Sequence, residues 1–230
     1  VELEASYETL RGYDETAKAC MRRNTKEGIL EVHWTTGSGN WETWMYGRQL
    51  DNWDYNFTWA KWITPSRDII NDFDKEGDEV RKNQAIVYYA CTWSNYYPAS
   101  NYPFMYKLRS SYNNIYWVRL ADIILMKAEA EAYKGNLAES AKLVNQIRKR
   151  AKLKELTSDK TGSKESMIEA VLHERRLELA FEGERWFDLC RNNKVEQYLN
   201  GIDNRDSGRI RQVRQFDGNS YLLPIPQTAL

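Results

Sequence analysis

Three cysteines, two histidines and no excess of either charge leave several chemistries without material. Cys20, Cys91 and Cys190 are far apart, so they form neither a zinc-ligand pattern nor a dense disulfide framework, and they fix no redox compartment. His33 and His173 are isolated, and His173-Glu174 is followed by two arginines rather than by a second histidine four residues on. No metal, redox group or nucleotide is therefore expected, although loop carboxylates and carbonyls can hold a calcium ion without any motif. The 33 basic residues balance 33 acidic ones, so no global field favours nucleic acid or anionic lipid. No apolar run approaches the ~18 residues of a membrane-spanning helix. The chain opens at Val1 inside what reads as an amphipathic segment with no signal-peptide pattern, which makes it look like part of something longer. Its 230 residues suffice for one or two domains with a real core.

What the chain has in excess is aromatic rings: nine Trp and fifteen Tyr. Six of the nine tryptophans fall within residues 34–62, at Trp34, Trp41, Trp44, Trp53, Trp59 and Trp62. Between them lie glycines, threonines, Ser38, amides, carboxylates and Arg48. Neither helical nor strand periodicity persists there, so loops and short turns are expected. Rings interleaved with polar groups suit a sugar platform. A pyranose lays its C–H face on an aromatic ring and offers its rim hydroxyls to Asn, Asp and Arg. The expected rings are Trp41, Trp44, Tyr46, Trp53, Tyr55 and Trp59, with Arg48, Asn52 and Asp54 at the rim. Trp34 and Trp62 adjoin segments expected to be ordered and buried. The competing reading is that the rings fill a loop-rich core. A second aromatic zone, 85–117, holds Pro98 and Pro103 among Ser and Asn, which predicts loops between short strands. Either it adds a wall to the same cleft or it covers the helices.

The remainder reads as helix. Residues 1–23 are amphipathic, and Glu27–Trp34 alternates as an extended segment should. Thr64 and Pro65 mark a helix start, with Ile69, Ile70 and Phe73 inward. Asp78-Glu79-Val80-Arg81 reads as a surface loop or a local ion pair. One apolar stripe runs Trp117, Leu120/Ala121, Ile124, Ala128 and another Leu137, Ala141, Val144, Ile147/Arg148. They are separated by Gly135-Asn136, the pattern of a tetratricopeptide-like helix pair. A single pair cannot bury itself, so a partner must come from outside the chain or from a further helix at 164–192. That helix carries Glu174-Arg175-Arg176-Leu177-Glu178-Leu179-Ala180-Phe181-Glu182-Gly183-Glu184-Arg185-Trp186-Phe187-Asp188-Leu189-Cys190-Arg191. Here charges sit inside the buried stripe, which is tolerable only if each is paired. Arg175 and Arg185 lie within a turn of Glu178 and Glu182 and are the expected ion-pair partners, a latch fixing how helices dock. The sharper alternative is a catalytic carboxylate pair. Gly183 implies either a closely approaching neighbour or a break.

This eighteen-residue string resembles the C-terminal signature of the SusD/RagB family of outer-membrane glycan-binding lipoproteins. Further similarities are the extended segment after the first helix, Arg119-Leu120-Ala121-Asp122, Asn145-Gln146-Ile147-Arg148, and Pro224-Ile225-Pro226. The final Gln227-Thr228-Ala229-Leu230 departs from the family's acidic residue and Asn-Pro tail. The resemblance implies a mainly α, SusD-like fold with tetratricopeptide-like helix pairs and a loop-rich aromatic subdomain. On that reading residues 1–230 correspond to the family's C-terminal region. A loop-rich subdomain would span 30–116, a helical core 117–192, and an irregular segment 193–230. It further implies a non-enzymatic surface protein without cofactor that binds oligosaccharide and delivers it to a SusC-like TonB-dependent transporter. Its only tie to the membrane would be a lipid anchor absent from this chain, and nucleic acid would not be a partner. Two other classes stay in play. A glycoside hydrolase would need facing carboxylates, for which Glu42, Asp51, Asp54 and Asp68 are candidates near the rings. A helical-repeat scaffold would use an exposed groove and leave the tryptophans as packing.

Overall fold

In a computed structural model of the chain, residues 1–12, 22–34, 63–94, 96–108, 114–206 and 215–222 are described. The fold is mainly α. Four short strands form two separate antiparallel pairs among the described residues. In order these are α1 (Tyr7–Arg11), β1 (Gly28–Val32), α2 (Arg67–Glu76), α3 (Glu79–Ala85), β2 (Ile86–Tyr89) and β3 (Tyr102–Met105). Then follow β4 (Ile115–Arg119), α4 (Leu120–Lys134), α5 (Leu137–Arg150), α6 (Ser158–Thr161) and α7 (Lys164–Glu178). The series closes with α8 (Arg185–Arg191), α9 (Val195–Leu199) and α10 (Ile202–Arg205).

The central core is a three-helix contact. Ala121, Leu125, Ala128 and Ala132 of α4 meet Leu143, Val144 and Ile147 of α5, and Met167, Ala170 and Val171 of α7 cover both. Small alanines on α4 let the partner helices approach closely. The third helix is thus the one that carries the charged signature, and it supplies the partner a lone helix pair lacks. Between α4 and α5 the chain reverses at Gly135, whose φ of 85° is left-handed. The Gly135 and Asn136 amides close the helix on the carbonyls of Ala132 and Glu131 at 3.0 and 2.9 Å.

Several helix boundaries differ from expectation for local reasons. Among the described residues at the N-terminus, helix starts at Tyr7 and runs to Arg11, because Ser6 is extended and its hydroxyl accepts from the Thr9 amide at 3.2 Å. The rest of the expected helix, from 13 to 21, lies outside the described residues. Helix α2 is capped by Ser66, whose hydroxyl accepts from the Ile69 amide at 3.3 Å. Thr64 instead donates its hydroxyl to the Pro103 carbonyl at 2.8 Å, tying α2 to β3. Of the two readings of 78–81 the local ion pair holds and the surface loop does not: Asp78 and Arg81 are buried and paired with each other, and Asp78 also caps α3 on the Arg81 amide. Trp117 leaves the helical stripe altogether. It sits on β4, 67% exposed, where the pairing with β1 slips between Leu30↔Val118 and Glu31↔Tyr116. No described helix is long and apolar enough to cross a membrane.

Candidate functional site

The signature is not one helix but two with a turn between them. Helix α7 ends at Glu178, Phe181 has a φ of 64° and Gly183 one of 96°, and α8 starts at Arg185. A right-handed helix cannot pass through such residues. A Cβ placed on Gly183 would meet nothing within 4 Å, so the glycine is there for its backbone and not for a close neighbour. Gly183→Ala should therefore cost on the order of 1 kcal/mol through strain alone. Chemical denaturation checks this, and a neutral or stabilising substitution would contradict it.

The turn aims Glu182 back toward Glu178, and both acids sit among cations from distant parts of the chain. Glu178 accepts from Arg119 and Arg150 at 2.7 Å each, from Arg81 at 3.4 Å, and from the Tyr7 hydroxyl. Glu182 accepts from Arg11 at 2.5 Å, Lys107 at 2.7 Å and Arg119 at 2.7 Å. Arg119, 1% exposed, also reaches Glu27 at 2.8 Å, and Arg150 bonds Glu27 as well. Glu174 extends the network through Arg81 at 2.6 Å and Arg148 at 3.0 Å. Elements α1, α3, β4, α5 and α7 all contribute, with Glu27 just before β1 and Lys107 after β3, so the network ties distant parts of the chain together.

The expected partners are otherwise engaged. Arg175 pairs with Asp188 and Asp122, each at 2.8 Å, not with the two glutamates. Arg185 donates to the Leu172 carbonyl at 3.1 Å and lies 4.7 Å from the Tyr198 ring centroid. Spacing along one helix shows only local neighbours, whereas the actual neutralising cations come from across the fold.

Burial alone would raise the pKa of Glu178, but Arg150, Arg119 and Arg81 outweigh it and hold the carboxylate well below its usual range. Glu182 is likewise depressed, with Arg11, Arg119 and Lys107 overriding its desolvation. Cations arranged this way favour the ionised carboxylates, as an ion-pair latch requires and a general acid does not. Lys107 itself is pushed down to about 7 by burial and by the nearby Arg11. The depressed glutamates stabilise the fold fully above about pH 4.3, the unfolded value, and that contribution is lost as pH falls through their folded values. The melting temperature is expected to hold between about pH 7 and 5 and to fall below about pH 4. Glu182→Gln should make that acid-side fall shallower, and a variant with an unchanged pH profile would contradict the assignment.

The second aromatic zone is largely its own core. Strands β2 and β3 pair from Ile86↔Met105 to Tyr89↔Tyr102. Trp93 meets Tyr102 edge-on at 4.9 Å, and Tyr102 lies 5.0 Å from Phe104. Tyr102 and Phe104 are buried, with Cys91 beside them. The outer rings clamp an arginine: the Arg67 guanidinium lies 4.2 and 4.3 Å from the centroids of Tyr96 and Tyr97. Buried Asp206 accepts from Tyr96 at 2.5 Å and from Arg67 at 3.4 Å. These rings cover α2 and fix the C-terminal helices.

The sugar-platform residues Trp41, Trp44, Tyr46, Arg48, Asn52, Trp53, Asp54, Tyr55 and Trp59 lie outside the described residues. So do Glu42 and Asp51, while Asp68 is ion-paired to Arg176 at 2.8 Å and to Arg205 at 3.3 Å. Downstream of that stretch a cavity of about 420 Å³ opens between the 179–184 turn, α2, β3 and α9–α10. Ile69, Met105, Phe181, Arg185, Trp186 and Tyr198 are among its walls. Composition did not single it out, because its lining comes from five separate segments.

Comparison with known proteins places this geometry. A model of the SusD family matches residues 102–230. A SusD-like protein of Formosa agariphila is 39% identical over 103 residues, 42% of this chain and 20% of that protein. A laminarin-binding SusD-like protein of known structure superposes with a TM-score of 0.67 at 21% identity, over 99% of this chain and 51% of that one. Surface glycan-binding protein A of Bacteroides thetaiotaomicron does so with a TM-score of 0.69 at 17% identity, over 99% and 53%. The chain thus spans about half the length of the solved structures it matches.

Proposed function

The chain belongs to the SusD family, and from that premise we propose that it is part of a cell-surface protein that binds oligosaccharide. The protein holds the sugar without cleaving it and passes it to a TonB-dependent outer-membrane transporter. A lipid anchor elsewhere in the protein keeps it at the outer membrane. The observation that carries the reading is the family match over 102–230, joined to a fold shared over nearly the whole chain with a laminarin-binding protein. The aromatic excess at 41–59 supports it. In this reading Trp41, Trp44, Tyr46, Trp53, Tyr55 and Trp59 supply stacking faces, and Arg48, Asn52 and Asp54 bond the rim hydroxyls.

Incubating the intact protein with a panel of glycans tests the proposal, with retention followed by a pull-down and products by chromatography. Retention of at least one glycan with no new reducing ends is the expected result. Released shorter products would make the protein a hydrolase, and neither retention nor cleavage would favour a protein-binding scaffold.

A further inference from the structure

The cavity beside the signature turn is lined by three arginines and by three carboxylates, Asp68, Glu184 and Asp188, and one of the arginines has no ion pair among the described residues. Arg175 is answered by Asp122 and Asp188 at 2.8 Å each, and Arg176 by Asp68 at 2.8 Å and Asp72 at 2.5 Å. Arg185 has no ion pair among the described residues. It has only the Leu172 carbonyl at 3.1 Å and the face of Tyr198. Burial, reinforced by Arg176, pushes it down to about 10, whereas its carboxylate partners raise Arg175 against the same burial. Asp188 and Asp72 act on this guanidinium, but neither forms an ion pair with it, so no carboxylate bonds it directly to offset its desolvation.

The remaining walls set the chemistry of what could supply a direct counter-charge. Ile69, Met105, Leu179, Phe181 and Trp186 present apolar surface. A polyol placed against them would lose water without regaining hydrogen bonds. The volume, about 420 Å³, lies near the lower end of small-ligand pockets. Asp68 and Asp188 are engaged by arginines. Glu184 also faces the cavity without an ion pair among the described residues, and burial raises its pKa, which weakens its opposition to an anion.

We propose that this cavity binds a small organic anion, a carboxylate on an apolar, ring-sized body. The carboxylate sits on Arg185 and the body lies against Met105, Phe181 and Trp186. This ligand is of a different class from the oligosaccharide of the proposed function.

The test is calorimetric titration of the intact protein, without glycan, using 4-methylbenzoate, its neutral methyl ester, and glucuronate. Saturable one-to-one binding of 4-methylbenzoate is expected, on the order of tenfold or more tighter than the ester. Glucuronate, with the same charge on a polar body, should bind at least as weakly as the ester. Arg185→Gln should erase the advantage of acid over ester. Ile202→Phe, which adds bulk to the cavity lining, should abolish both, and it carries the test if Arg185→Gln fails to fold. No saturable binding, equal affinity for acid and ester, tight glucuronate binding, or insensitivity to the substitutions would each overturn the proposal.

Discussion

Glu178→Ala is expected to destabilise the fold by about 3–5 kcal/mol, the range for removing one partner from a buried ionic cluster. That is a large share of the roughly 5–15 kcal/mol that holds a typical domain together. The size of the effect comes from the groups that would be orphaned. Arg119, Arg150 and Arg81 all donate to this one carboxylate from inside the protein, and Arg119 is 1% exposed. The Tyr7 hydroxyl would lose its acceptor as well. Lys107→Met supplies the contrast. Glu182 would keep Arg11 and Arg119, and the buried Lys107 ammonium is already disfavoured. Its loss should cost about 1 kcal/mol or less. Equal effects from the two substitutions, measured by denaturant unfolding, would mean that the cluster is not organised around Glu178.

The second large effect concerns ligand affinity. Replacing one of the proposed rings, Trp53 or Trp44, by Ala should weaken glycan binding by about 1–3 kcal/mol, roughly one to two decades in affinity, judging by the stacking of bases on aromatic rings. The melting temperature should barely move, because a platform ring faces its ligand and not the core. Asp54→Ala should cost less, since a rim hydrogen bond exposed to water contributes about 1 kcal/mol. Should every ring replacement lower stability and none lower affinity selectively, the rings are packing.

The helical half of this molecule was legible because its signals are local. Gly135-Asn136 marks a left-handed stop, and small residues at helical spacing mark the face that becomes the three-helix core. Charges inside the signature stripe announced that partners were needed. They could not announce which, because Arg11, Arg81, Lys107, Arg119 and Arg150 come from five other elements or turns and no periodicity links them. The break at Gly183 was one of two readings of a glycine in a helical pattern, and its φ of 96° together with empty space around it selects that one. Thr64-Pro65 imitates a helix start, and only the hydroxyl contacts of Ser66 and Thr64 show that the cap lies two residues later. As for the site, periodicity cannot say whether a ring faces a core or a ligand. In the second aromatic zone these rings pack against the protein itself, with Tyr102 and Phe104 buried and Tyr96 and Tyr97 clamping Arg67. Nothing in composition specifies sugar, and that part rests on family membership.

A buried ionic latch and a ring platform respond differently to substitution, and one paired measurement tests that separation most directly. Glycan affinity and melting temperature are determined side by side for Glu178→Gln and for Trp53→Ala in the intact protein. Glu178→Gln is expected to lower the melting temperature while leaving affinity intact at a temperature where it is fully folded, and Trp53→Ala is expected to do the reverse. Loss of affinity in folded Glu178→Gln, with Trp53→Ala changing only stability, would contradict the account and move the binding site to the charged cluster.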